Sequence, residues 1–146
     1  MNLEFNIAVH VLTFLTKHKD QHFNSQDLAQ LTCLNPVQLR RVTTILNHHD
    51  YIDTLRGKGG GYRANDRTPS IKLSILYQLF VLDKANTQRI FTGNEQSHCK
   101  ISRNIAHTMN RYKEQEIALA LDFYSNLTIN DVLKETLQEE TTNDTL

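Results

Sequence analysis

The chain is poor in residues that staple, anchor or catalyse. Only two cysteines, Cys33 and Cys99, occur in 146 residues, which excludes a secreted disulfide scaffold and a four-cysteine metal site within one chain. No stretch approaches the ~18 consecutive apolar residues of a membrane span. The opening Met1-Asn2-Leu3-Glu4-Phe5 carries an acid and no basic segment ahead of apolar residues, so no export signal is expected. These absences predict a cytoplasmic protein with no membrane association. The seven histidines show no metal-ligand spacing, and no metal site is expected from them. No Ser-His-Asp order, catalytic carboxylate pair or nucleophile motif emerges, so an enzyme is not expected.

Net charge is zero, which taken alone argues against a general nucleic-acid binder. The distribution argues otherwise. From Pro36 to Lys72 seven bases stand against three acids, whereas from Lys113 to Leu146 two bases stand against eight acids. A basic segment able to face phosphates is thus offset by an acidic C-terminal part that phosphates repel.

Leu3, Ile7, Ala8, Val11, Leu12 and Leu15 recur at steps of three and four and predict a first amphipathic helix. Ser25 reads as the N-cap of a short second helix containing Asp27, and Thr32-Cys33-Leu34 as a break. Asn35 as cap and Pro36 as first residue open a third helix, with Leu39, Val42, Ile45 and Leu46 inward. Two short helices around a tight turn are the helix-turn-helix signature. Strand-formers from Tyr51 to Leu55, the glycine run Gly57 to Gly61 and the strand-former Tyr62 then predict a hairpin. A helix over residues 71–81 closes this head.

The polar segment from Lys84 to Ser97 reads as loop, with Ile90 and Phe91 tucked inward. Ile101, Ile105, Met109, Tyr112, Leu119, Phe123 and Leu127 then repeat near the helical period, predicting a helix of about 25 residues and ~40 Å. A single apolar stripe on a projecting helix needs a cover, and a second copy supplies one most simply. Thr128 and Asp131 form a capping-box pattern for a short last helix through Leu133 and Leu137. The expected class is mainly α with a small β-hairpin wing. A winged helix-turn-helix head spans 1–82 and a loop 83–98. A dimerisation helix and short terminal helix span 99–138, and a disordered tail 139–146.

In a helix-turn-helix the second helix enters the major groove, so residues facing away from its apolar stripe do the reading. Here these are Val37, Gln38, Arg40, Arg41 and Thr44. Arginine pairs bidentately with guanine and glutamine with adenine. Arg40 and Arg41 point ~100° apart, which suits one to bases and one to phosphate. A solvated pair of helix-face charges is the plainer alternative. In the hairpin, Arg56 and Lys58 offer charge, Gly59 to Gly61 allow close backbone approach, and Tyr62, opening the return strand, is expected with Arg56 and Lys58 to contact DNA. A simple flexible hairpin is the alternative there. A phosphate-binding nucleotide loop is not supported, because no Lys-Ser or Lys-Thr pair opens a helix after the glycines.

The run LRGKGGGYRANDRTPSIKLSILYQL following LNPVQLRRVTTILNHHDYI resembles the Rrf2 family of winged-helix regulators, over most of residues 1 to 133. The resemblance implies a homodimer joined through its long C-terminal helices, binding a partly palindromic double-stranded DNA operator and commonly repressing. It implies that Arg40 and Arg41 touch bases and that Arg56 enters the minor groove. The sequence is also similar to disulfide-stress and hypochlorite-responsive members. Cluster-binding relatives carry three cysteines in the loop before the dimer helix, whereas this chain has Cys99 alone, beside His98 and with His107 further on. An iron-sulfur cluster, which takes four mostly thiolate ligands, is therefore not expected, although cysteine-plus-histidine ligation stays an alternative. Zinc fails on the same count unless subunits share a site.

Within that architecture Cys33 in the helix-turn-helix and Cys99 at the root of the dimer helix form a candidate redox switch, pairing between subunits on oxidation. His98 and Lys100 are expected to favour the Cys99 thiolate. The alternative makes Cys33 a small buried core residue and Cys99 an incidental surface thiol. Two other functions remain open at this point: a winged-helix protein-interaction module, and a regulator controlled by a bound cluster or small ligand.

Overall fold

The computed structural model describes residues 1–84 and 89–143. Helix α1 (Leu3–Lys17) starts where the Asn2 side chain accepts the Phe5 N–H at 2.9 Å. It runs through the middle of the head and buries Phe5, Ile7, Ala8, Val11, Leu12 and Leu15. Leu3, expected on that stripe, is 59% exposed, and Phe5 takes the inward place. The Phe5 ring meets those of Tyr77 and Tyr124 at 5.9 and 5.3 Å, and residues near the helix start turn to whichever element packs there.

Helix α2 (Ser25–Thr32) is capped by Asn24, whose side chain accepts the Asp27 N–H at 2.8 Å; Ser25, expected as the cap, is the first helical residue. Asparagine one residue earlier already satisfies the exposed amide, so serine is not needed for it. Cys33 ends α2 in the left-handed region at φ 58°, a conformation most side chains avoid. Helix α3 (Pro36–His48) begins as its sequence predicts, with the Asn35 side chain accepting the Val37 and Gln38 N–H groups at 2.9 and 3.2 Å. Its Leu39, Val42 and Leu46 are fully buried, each worth about 1.5–3 kcal/mol of burial.

Strand β1 (Ile52–Leu55) pairs antiparallel with β2 (Gly61–Ala64), from Ile52 opposite Ala64 to Leu55 opposite Gly61. Phe23, in the connection from α1 to α2, adds a third edge by exchanging backbone hydrogen bonds with Tyr62 at 2.9 and 2.8 Å. A 3-10 turn (Thr68–Ser70) and helix α4 (Leu73–Tyr77) follow, the latter continuing as a π-helical turn through Leu82. Thr68 is fully buried and its hydroxyl bonds the Tyr51 carbonyl at 2.7 Å, fixing the base of the hairpin.

Helix α5 (Lys100–Ser125) has 26 residues, none of them buried. Its final turns pack on α4, where Tyr124 meets Tyr77 and Phe5 at ring separations of 5.0 and 5.3 Å. Before α5, Phe91 is half-buried and Ile90, expected to tuck inward with it, stays 58% exposed; both line one cavity with Ile105 and Met109. Helix α6 (Ile129–Asn143) opens on the capping box of Thr128 and Asp131 and returns to pack along α1 with Ile129 fully buried. The last helix therefore shares the core of the head instead of extending a separate dimer unit. It also runs to Asn143, past the expected start of disorder at Glu139. Residues 144–146 of that expected tail lie outside the described residues.

Candidate nucleic-acid interface

Two elements of the head project basic side chains, and one hydrogen bond sets their relation. The Thr54 hydroxyl, on β1, bonds Asn47 Oδ1, on the last turn of α3, at 2.7 Å. The hairpin is thus pinned to the reading helix near its base. Asn65, just beyond β2, adds a second tie by donating to the Asp50 carbonyl at 3.0 Å and to Asp53 Oδ1 at 3.2 Å.

On α3, Val37 is 62% exposed, Arg40, Arg41 and Thr44 are exposed, and Gln38 is half-buried. Arg40 lies along its own helix, its Nε donating to the Pro36 carbonyl at 3.4 Å, and the Thr44 hydroxyl donates to the Arg40 carbonyl at 2.7 Å. Arg41 leans the other way and places Nη1 3.3 Å from Glu4 Oε1 on α1. Each of the two adjacent arginines thus commits one donor, Arg40 to a carbonyl of its own helix and Arg41 to a carboxylate on α1.

On the wing, Arg56, Gly57, Lys58 and Gly59 are exposed. The glycines divide the work differently from the sequence expectation. A Cβ on Gly60 would sit 2.1 Å from the Leu55 carbonyl oxygen, and one on Gly61, at φ +133°, 2.3 Å from the Phe23 carbonyl oxygen. Those two glycines let the chain approach its own backbone, and the close approach open to a ligand is left to the tip. Tyr62 is half-buried against the core with its backbone committed to Phe23, so it supports the wing from beneath.

The two candidate redox residues are both exposed, which removes the reading of Cys33 as a core residue. Cys99 is the N-terminal flanking residue of α5. The Ser102 amide, then the Ser102 hydroxyl and the Ile101 amide, draw its thiol below the ordinary cysteine value. The cause is the start of the helix and not the neighbouring His98 and Lys100. Glu4, Asn24, Asn47 and Asn65 are the interface residues that sequence reasoning missed. Asn24 was legible as a cap in competition with Ser25, but the Glu4 contact spans 37 positions and leaves no local pattern.

Paired short helices with a basic outer face, a pinned two-strand wing and a charged, glycine-rich tip define a winged-helix DNA-binding regulator. Residues 1–135 match the Rrf2 family, described as an iron-dependent transcriptional regulator, and the chain belongs to that family. The HTH-type transcriptional regulator NsrR of Bacillus licheniformis is 26% identical over 129 residues, covering 86% of each chain. A crystal structure from Lactobacillus plantarum, assigned as a transcriptional regulator, superposes with a TM-score of 0.80 at 28% identity, covering 98% of this chain and 99% of that one. T. potens IscR shares the fold at a TM-score of 0.65 and 16% identity, with 93% and 87% covered. These relatives are regulators, not enzymes. Among the described residues no helix is long and apolar enough to cross a membrane.

The family description names iron, and the donor set of this chain does not fit an iron centre held by one subunit. Among the described residues no three His, Cys, Asp or Glu side chains gather. The two cysteines of the whole sequence close α2 and open α5.

Proposed function

We propose that this protein is a homodimeric, sequence-specific repressor that reads a partly palindromic operator and is released by oxidants through its thiols, without an iron-sulfur cluster. The observation that carries the DNA half is the Thr54 to Asn47 bond, because it gives α3 and the wing one fixed phase. In this reading Arg40 and Gln38 face base edges, Arg41 and Thr44 lie beside the groove wall, and Arg56 and Lys58 take the minor groove or its phosphates. Tyr62 supports the wing.

The dimer rests on α5. Ile101 and Leu119 are each 73% exposed and Phe123 is 61% exposed, a stripe that a second α5 would cover. Among the described acids of the C-terminal part, Glu114, Glu116 and Asp122 lie on α5 and Asp131, Glu135, Glu139 and Glu140 on α6, none of them on α3 or the wing. Gel shifts test this half. Arg40→Ala should relax base specificity, while Lys58→Ala should weaken binding to all sequences and flatten the salt dependence by about one ion per site. Unchanged binding in both variants rejects the assignment.

The switch is supported by the exposure of both thiols and by the lowered Cys99 value. Thiolate at Cys99 attacks the oxidant first, a hypochlorite or a peroxide, and the thiolate of Cys33 of the partner subunit then attacks the resulting sulfenyl sulfur, forming the S–S bond as hydroxide or chloride leaves. Two thiols lose two protons and two electrons, and the oxidant is reduced to water, with chloride in the hypochlorite case. Non-reducing gels after treatment should show a covalent dimer. Persistence of that band in Cys33→Ser would refute the pairing.

A further inference from the structure

Glu4 sits in the first turn of α1, an element with no assigned part in DNA reading. Its side chain is 19% exposed, against 63% for Arg41. One carboxylate oxygen faces Arg41 Nη1 at 3.3 Å and the other is paired with Lys84 Nζ. Three parts of the molecule meet on this one carboxylate: α1, the reading helix, and the segment that leaves the π-helical turn toward α5.

We propose that Glu4 is a positioning residue for DNA recognition, holding one edge of the Arg41 guanidinium so that its remaining donors meet the operator in a preset orientation. This rests on the reading of Arg41 as a DNA contact. A guanidinium has five N–H donors in a rigid fork, so one bond to Glu4 leaves Nε and Nη2 free for phosphate or guanine. An unrestrained arginine on a helix face loses rotamer freedom when DNA fixes it, and a tethered one has lost much of it already. The tether also discriminates. An untethered Arg41 can follow any phosphate, whereas a tethered one is satisfied only where the backbone runs at the matching distance from α3. A carboxylate close to DNA is ordinarily repelled, but two cations against one anion leave the junction net positive. Lys84 shares the carboxylate and keeps the grip on Arg41 partial.

The experiment compares a duplex selected from a random pool by the wild-type protein with a scrambled duplex of the same composition, each titrated at several salt concentrations. Glu4→Gln is expected to lower the ratio of the two affinities about tenfold, chiefly by tightening binding to the scrambled duplex with a steeper salt dependence. In an Arg41→Ala background the same change should leave the ratio where Arg41→Ala alone puts it. A ratio unaltered by Glu4→Gln while Arg41→Ala lowers it overturns the proposal, as does an equal fall in both backgrounds. Should Arg41→Ala bind the selected duplex as wild type does, the DNA assignment of Arg41 fails first, and that is visible without any Glu4 variant. Should Glu4→Gln melt the head, Lys84→Ala carries the test, because it leaves the whole carboxylate to Arg41. Its ratio should stay at or above wild type, and a tenfold fall overturns the proposal.

Discussion

Helix α1 hides six apolar side chains within fifteen residues, whereas α5, with twenty-six, hides none. Both carry an apolar stripe at helical spacing. The stripe of α1 is covered by α3, α4, α6 and the hairpin of the same chain, so the head closes its own core. Among the described residues, that of α5 meets its own chain where its last turns rest on α4 and on Phe5 of α1, and it lines a cavity together with Phe91. Identical periodicity therefore has two outcomes. Chain topology, not pattern strength, decides whether a stripe is spent on the fold or left exposed.

The sharpest test makes one substitution in both places. Leu39→Ala empties a fully buried site on α3 and should cost about 2–5 kcal/mol in denaturant melts. Leu119→Ala, on the open stripe, should cost the separate subunit under about 0.5 kcal/mol and appear instead as weaker dimerisation by analytical ultracentrifugation. Equal losses at both positions, independent of protein concentration, would erase the contrast. Within the head, Gly61→Ala would force a side chain onto the Phe23 carbonyl at a backbone angle suited to glycine. A loss on the order of 1–3 kcal/mol is expected, with wing amides exchanging faster.

A smaller effect is expected at the reading helix. Asn35→Ala removes the acceptor of two amides and should cost about 1 kcal/mol in thermal unfolding. The smallest is electrostatic. The Thr128 amide, then its hydroxyl, hold the Asp131 carboxyl below the ordinary carboxylate range. A depressed folded-state value means that this contribution is present above the unfolded value of about 3.9 and is lost as pH falls through the folded one. Asp131→Asn should flatten the pH dependence of the melting temperature below about pH 4, and should leave it unchanged near neutrality.

The helix order, the Asn35-Pro36 start, the hairpin, the length of α5 and the capping box at Thr128 were all legible, because each is written in caps, turns or apolar spacing along a continuous stretch of chain. What was not legible depends on long-range packing. Leu3 and Phe5 are both apolar, and only the arrival of Tyr77 and Tyr124 from far along the chain shows which of them turns inward. Gly60 and Gly61 read as openings for a ligand until Leu55 and Phe23 are seen to fill the space beside them. The exposed face of Arg40 and Arg41 could be read from helical spacing, but not that Arg41 reaches the Glu4 carboxylate on α1. His98 and Lys100 drew attention as neighbours of Cys99 in sequence, whereas the groups that act on its thiol lie two and three residues into the helix.

The C-terminal end of α5 is clamped. Leu73 donates to the Leu127 carbonyl at 2.9 Å, Ile129 donates to the Ile71 carbonyl at 3.0 Å, and Tyr124 is wedged against Tyr77. The other end, where Cys99 stands, reaches away from that clamp by the length of the helix, ~39 Å at 1.5 Å per residue. Mechanically this is a lever with its fulcrum inside the head. A tilt of about one degree at the fulcrum displaces the tip by roughly 0.7 Å over that arm. A displacement imposed at the tip by chemistry is delivered to the fulcrum as a small rotation with large mechanical advantage, at the place where α4 underlies the reading domain.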